Sequence, residues 1–312
     1  MEPQSSKAPS RTVDSPASGA RVRDGRDRLV IQPCHRRRTV LALIRSARRE
    51  LVLSIFRCDD EAVLRALADA VRRGVGVRAI VTRRAKASAR DLAHLRTWLA
   101  AHGIAVRGYQ AAGKYHAKYI VADDRTALVA SLNLTAQCFE RTCDFMLVTS
   151  DADVVSGLTQ LFAADWAQRP ALLTRAQMDR LIVGPDHRPR DRFASLVREA
   201  RQRIRVLDAK LTDPGIQRLL ESRRREGVAV EIMRGRNVRP LAAHGRLLIV
   251  DDRAAVVGSF ALSRGALERR RELAVITHDA AVLRELDAFW RAHSRPRAAS
   301  RVTVSAAPEM RP

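Results

Sequence analysis

An internal duplication constrains this chain more than any other feature of its sequence. A short apolar run, LVIQP at 29–33, leads into an amphipathic helix ending near Arg48 and then the strand-like ELVLSIF at 50–56. The same order returns as LIVGP at 181–185, a helix through Phe193 to Arg203, and IRVLDA at 204–209. Asp59 and Asp60 suit the start of a helix that stops at Gly74 before the strand VGVRAIV at 75–81. Their counterparts are Asp213, Gly227 and VAVEIM at 228–233. Both copies close with an apolar strand, DFMLVTSD at 144–151 or ELAVITHD at 272–279, and a helix carrying Trp166 or Trp290. Alternating strands and helices predict an α/β fold of two lobes, each a central mixed sheet flanked by helices and related by an approximate two-fold axis.

The copies differ in length. Gly74 and Gly227 are 153 positions apart, whereas His116 and His244 are 128 apart, so the second copy lacks 25 residues. The missing piece matches the helix ARDLAHLRTWLAAHG at 89–103 and the strand IAVRG after it. The organisation expected is a flexible basic tail at 1–28, repeat 1 at 29–169, repeat 2 at 181–293 and a flexible tail at 294–312, since both ends are polar and aperiodic. No stretch reaches the roughly 18 apolar residues of a membrane span, and residues 1–28 lack the apolar segment of a secretory signal, so a cytoplasmic monomer is expected. The four cysteines have no metal-ligand spacing and read as inert thiols. A formal charge of +23 attracts polyanions, either nucleic-acid phosphates or an anionic membrane surface.

The chemistry concentrates in HAKYIVADDRTALVASLNLT, residues 116–135. His116 and Lys118 are two apart, so on an extended segment they share a face. YIVA reads as a buried strand, DDR as a turn and TALVA as its hairpin partner, which brings Ser131 and Asn133 back to the histidine end. Cleaving a phosphodiester takes a nucleophile, an acid for the leaving oxygen, and positive or hydrogen-bonding groups around the phosphoryl oxygens. Histidine, lysine, serine and asparagine supply them. The remaining histidines form no pair with metal-binding spacing, and no metal or other cofactor is expected.

The pattern HxKxxxxD followed by a GSxN-like turn, present in both halves of a duplication, resembles the phospholipase D superfamily over about residues 29–293. The resemblance implies a metal-independent phosphodiesterase in which one histidine attacks phosphorus and the other protonates the leaving group through a phosphohistidine intermediate. His116 would be the nucleophile, His244 the acid, Lys118 and Asn133 phosphate ligands, with Ser131 and Ser259 also at the substrate, and Asp123 and Asp251 supporting residues. An acidic residue eleven positions after the asparagine orients the histidine in that family. Here those positions hold Asp144 and Glu272. A carboxylate on the distal ring nitrogen would fix the tautomer and stabilise imidazolium.

Copy two departs from the pattern: in HGRLLIVDDRAAVVGSFALS at 244–263, Arg246 stands in place of lysine and Ala261 in place of asparagine. Arginine still binds phosphate, but the exchange is not neutral. An asymmetric working site and a decayed half on a basic scaffold that binds DNA or anionic lipid are therefore both open. Lys210, ending IRVLDAK, offers a charge that would offset the change at position 246. The substrate expected first is a phospholipid, for hydrolysis or transfer, and second a nucleic-acid backbone cut by a metal-independent endonuclease. With 4% aromatic residues, the chain offers no evident stacking platform for single strands.

Overall fold

The computed structural model describes residues 26–83, 89–110, 113–185, 187–234, 238 and 240–294. The tails expected at 1–28 and 294–312 lie almost wholly outside them. The first lobe runs β1 (Asp27–Val30), α1 (Pro33–Ser46), β2 (Glu50–Ile55), α2 (Glu61–Arg72), β3 (Gly76–Val81), α3 (Ala89–Ala101), β4 (Ala105–Gly108), β5 (Tyr119–Ala122), β6 (Thr126–Ala130), α4 (Ala136–Glu140), β7 (Thr142–Cys143), β8 (Met146–Thr149) and α5 (Ala152–Ala167). The second runs α6 (Arg175–Arg180), β9 (Leu181–Val183), α7 (Pro189–Arg198), β10 (Arg203–Leu207), α8 (Pro214–Arg225), β11 (Ala229–Met233), β12 (Ala242–Ala243), β13 (Leu247–Val250), β14 (Ala254–Gly258), α9 (Arg264–Arg269), β15 (Leu273–Thr277) and α10 (Ala280–Ser294). A seven-stranded sheet, β1-β8-β6-β5-β2-β3-β4, and a six-stranded sheet, β11-β10-β13-β14-β15-β9, form the centres of the lobes. The helix and strand that copy two lacks are α3 and the edge strand β4.

Local chemistry sets the elements. The Asp60 carboxylate accepts from Val63 N at 3.2 Å and Asp213 from Ile216 N at 3.0 Å, capping α2 and α8. Both helices end before a glycine with positive φ, Gly74 at +85° and Gly227 at +89°. On α2, Val63, Ala66, Leu67 and Ala70 are buried at the three- and four-residue spacing of a single helical face.

The central hairpins are buried on both sides, so strand alternation divides their side chains between two cores. Tyr119, Val121, Ala127 and Val129 point into a core shared by both lobes, while Ile120, Ala122, Leu128 and Ala130 face a core closed by α1, α2 and α3. In the second lobe Leu247, Ile249, Ala255 and Val257 enter the same shared core, and Leu248, Val250, Ala254 and Val256 face α7 and α8. The two sheets thus pack against each other through one apolar layer, with α5 and α10 contributing to it.

The turns between hairpin strands are alike in both copies. The Asp123 carboxylate accepts from the backbone N–H groups of Arg48, Arg49 and Glu50 at 2.8–2.9 Å, and Asp251 does the same for Arg201, Gln202 and Arg203 at 2.7–2.9 Å. These bonds outweigh partial burial and hold both carboxyls below their ordinary pKa. Both aspartates adopt positive φ and tie the turn to the start of the neighbouring strand, at the far end of the hairpin from the histidines. Cys58, Cys138 and Cys143 are buried and Cys34 is exposed, and all four are free thiols.

Candidate active site

Each histidine enters the site on a segment docked against the opposite lobe. His116 N and Ala117 N donate to Arg271 O at 2.8 and 2.9 Å, and Gly245 N donates to Cys143 O at 2.7 Å. The short strands β7 and β12 pair in parallel across the lobes, Thr142 with Ala242 and Cys143 with Ala243. The lobes approach closely at Gly245, where an added Cβ would meet Cys143 O at 2.7 Å and Phe145 Cδ2 at 2.9 Å. Only glycine fits there without displacing the Asp144 strand.

This docking crosses the histidine–carboxylate pairs. His116 Nδ1 lies 2.8 Å from Glu272 Oε2, and His244 Nδ1 lies 2.9 and 3.1 Å from the two oxygens of Asp144. The histidine of each copy is therefore oriented by the carboxylate of the other. With Nδ1 engaged, each ring turns its Nε2 away from the carboxylate. The two motifs face one another closely enough for Arg246 to repel both His116 and Lys118.

The carboxylates are themselves fixed. Asp144 and Glu272 are fully buried. Ser131 Oγ donates to Asp144 Oδ1 at 2.6 Å, Thr142 Oγ1 donates to Oδ2, and Ser259 Oγ donates to Glu272. The serine oxygens also accept from Phe145 N at 3.0 Å and Leu273 N at 3.1 Å. Ser131 and Ser259, expected at the substrate, instead spend their hydrogen bonds on the acids and their strands. Burial alone would raise both carboxyl pKa values, but the histidine and hydroxyl donors outweigh it and hold them below the ordinary range. Cys138, Asp144 and His244 carry metal-capable atoms within 4.8 Å of one another, the one such trio among the described residues. The Asp144 oxygens in it already accept from His244, Ser131 and Thr142.

Burial dominates the titration of His116 and brings its pKa down to about 4, with Glu272 opposing and Lys118 assisting. At neutral pH the ring is uncharged and one nitrogen keeps its lone pair. Lys118, 5% exposed, donates to His116 O at 2.8 Å, and burial lowers its pKa to about 7, again against Glu272. Asn133 is buried, its Nδ2 3.9 Å from Cys138 Sγ and its Oδ1 without a partner. Phe56 lies beside them: its ring centroid is 4.8 Å from that of His116 and 5.0 Å from Lys118 Nζ.

Copy two holds a residue that the motif comparison passes over. Arg246 Nε lies 3.7 Å from Asp208 Oδ1, and Asp208 is 2% exposed. Its other oxygen accepts from Leu262 N at 2.6 Å. Burial raises the Asp208 pKa, chiefly against the pull of Arg246. At the offset of 153 set by Gly74 and Gly227, Asp208 corresponds to Ile55. An acidic residue opposite an aliphatic one was the available signal. Arg246 and Asp208 thus form one coupled departure from copy one, beside the separate change at Ala261.

Residues 40–166 and 174–293 match the family described as "Cardiolipin synthase, PLD-like domain". The chain belongs to the phospholipase D superfamily. A mitochondrial cardiolipin hydrolase of Xenopus laevis is 32% identical over 130 residues, covering 41% of this chain and 60% of the relative. The match thus spans less than two thirds of that relative's length. Among solved structures, a polyphosphate kinase from Porphyromonas gingivalis superposes with TM-score 0.70 at 20% identity, covering 85% of this chain and 46% of the kinase. A phosphatidylserine synthase from Haemophilus influenzae superposes with TM-score 0.69 at 11% identity, covering 86% of each chain. At those identities the structural likeness establishes the two-lobed fold, which the sequence predicts.

Proposed function

We propose that this phospholipase D-like protein cleaves phospholipid phosphodiesters by a two-step displacement through His116. The crossed pairs His116–Glu272 and His244–Asp144 carry the reading, because each carboxylate orients the imidazole of the other copy across the junction of the two motifs. In the first step His116 Nε2 attacks phosphorus, and the leaving alkoxide takes a proton from His244 Nε2 as its P–O bond breaks. In the second, His244 accepts a proton from water or an acceptor alcohol, whose oxygen attacks phosphorus and releases His116. Lys118, Asn133 and Arg246 stabilise charge on the phosphoryl oxygens. All of these groups come from the chain itself, so activity should persist in excess chelator.

The relative named as a cardiolipin hydrolase favours an anionic phospholipid over other diesters. The charge of +23 favours a second reading, a nucleic-acid backbone. Parallel assays on diphosphatidylglycerol, phosphatidylglycerol, phosphatidylcholine, and single- and double-stranded DNA separate the two. His116→Ala should abolish an acid-labile phosphoenzyme trapped from any substrate. His244→Ala should be less damaging where the leaving group is p-nitrophenol, which departs without a proton. Equal loss on good and poor leaving groups would remove His244 as the acid.

A further inference from the structure

A buried guanidinium stands behind each of the two orienting carboxylates, yet the two arginines do not align. In copy one it is Arg36 of α1, fully buried, which donates to the carbonyl of Ile31, the residue directly after β1, and to that of Asp144 itself. Copy two has no counterpart in α7. Arg37 pairs with Asp60 and Glu140 as Arg190 pairs with Asp213 and Glu268, which sets Arg36 opposite Pro189. The place is filled from elsewhere in the chain: Arg271, 4% exposed, donates from Nη1 at 2.9 Å to the carbonyl of Gly184, the residue directly after β9. Strand β9 borders β15 as β1 borders β8, so both arginines hold the exit of the same strand of the fold. At the offset of 128 set by the histidines, Arg271 stands opposite Cys143.

Arg271 also fixes the segment that carries the opposite histidine. Its backbone N donates to Lys114 O at 3.0 Å, and its carbonyl receives both His116 N and Ala117 N. The next residue, Glu272, holds the imidazole through Nδ1. Both ends of the His116–Glu272 hydrogen bond are thus referred to one residue. Its guanidinium is anchored in turn from the first lobe: Nη2 lies 2.9 Å from Oδ1 of Asp165, on α5 and 5% exposed, and Cζ stands 5.7 Å from the centroid of the Tyr109 ring. A pair this buried adds little net stability, because desolvation offsets the attraction, but removing one partner strands the other charge. What the pair supplies is a fixed position.

We propose that Arg271, anchored by Asp165, is a positioning residue that sets Glu272 against His116 and so keeps the ring in its Nδ1–H tautomer, with the Nε2 lone pair free to attack. This rests on the reading of His116 as the reacting imidazole. A ring in the Nε2–H form would have no lone pair at the nitrogen that meets phosphorus. Arg36 does the corresponding work for Asp144 and His244 from inside its own lobe. Arg271 differs in drawing its anchor from across the junction, so the docking of the lobes and the orientation of His116 depend on the same side chain.

Two-bond nitrogen–proton correlation spectra of the full chain at neutral pH read the tautomer of each histidine without turnover. Wild-type His116 should appear as the Nδ1–H form. In Arg271→Met a sizeable Nε2–H population should appear at His116 while the His244 signals stay in place, and Arg36→Met should do the reverse. Asp165→Asn strands the guanidinium and should disturb His116 in the same way. Arg271→Met/Asp165→Asn should be no worse than Arg271→Met, because two parts of one device do not add. With turnover, Arg271→Met should lower kcat on the order of a hundredfold, the cost of displacing a reacting group by about 1 Å, and leave KM nearly unchanged. Should Arg271→Met fail to fold, Arg271→Lys and Asp165→Asn must by themselves move His116 and spare His244, or the proposal fails. A wild-type ring in the Nε2–H form, a His116 signal unmoved in Arg271→Met, equal disturbance of both histidines by either arginine variant, or additive losses in the double variant would overturn it. A tautomer that shifts as expected in a protein inert on every phosphodiester would sink the enzymatic reading and spare the positioning role, whereas turnover with a tautomer indifferent to Arg271 would do the reverse.

Discussion

At the residue scale, one buried imidazole and one buried ammonium set the working pH range of the proposed reaction. His116 attacks only when neutral, so activity should fall as pH drops through about 4 and the ring takes up a proton. Lys118 binds phosphate as a cation, so kcat/KM should fall again as pH rises through about 7. A bound phosphate stabilises the charged lysine and should move the alkaline limb of kcat above that of kcat/KM. Lys118→Arg, which keeps its charge at every accessible pH, should remove the alkaline limb while lowering the maximum. Persistence of that limb near 7 in the variant would assign it to another group. The histidines and lysine were legible in the sequence because the motif repeats. Their crossed partnership was not, since spacing places Asp144 with the His116 motif and Glu272 with the His244 motif, and only the docking of the lobes exchanges them.

At the scale of elements, the strands and capped helices follow from local pattern, whereas the support beneath Asp144 depends on residues distant in sequence. Hydrophobic runs, Asp60, Asp213, Gly74 and Gly227 mark the elements within a residue or two of their observed ends. Arg36 carries no such mark: it sits in a basic run, CHRRR, yet is fully buried. Its guanidinium donates to Ile31 O at 2.6 and 3.0 Å, Cys138 O at 2.9 Å, Thr142 O at 2.6 Å and Asp144 O at 3.1 Å. It thereby ties α1 to the carbonyls of the loop that aims Asp144. Arg36→Met would take the guanidinium donor from the carbonyls of Ile31, Cys138, Thr142 and Asp144, the bonds to the last three being buried, and should cost about 3 kcal/mol of stability. Urea unfolding should show a lower midpoint at an unchanged slope. A midpoint within error of wild type would mean that water or the backbone replaces the guanidinium without loss.

At the scale of the whole molecule, the two halves share a fold and a histidine–acid geometry but not the residues proposed to hold phosphate. Copy one offers Lys118 and Asn133; copy two offers Arg246, held by Asp208, and Ala261. The sequence displays two of these three departures directly, and the third appears only when Asp208 is set against Ile55. The coupling decides how restoration should behave. Arg246→Lys with Ala261→Asn would place an ammonium beside a buried carboxylate that is spared in copy one, and Asp208 would continue to draw charge away from the phosphate. The double variant should therefore gain little in kcat/KM, or lose some. Adding Asp208→Ile rebuilds the copy-one arrangement and frees the cation for the phosphoryl oxygens. One such donor is commonly worth about 3 kcal/mol, so the triple variant should exceed the double by roughly a hundredfold. Asp208→Ile alone should fall between wild type and triple, because it unmasks Arg246 but supplies no amide. Thermal unfolding of each variant separates lost folding from lost chemistry. If the triple variant folds and is no better than the double, the asymmetry is not a weakened clamp, and Arg246 and Asp208 serve the lobe's structure rather than its phosphate.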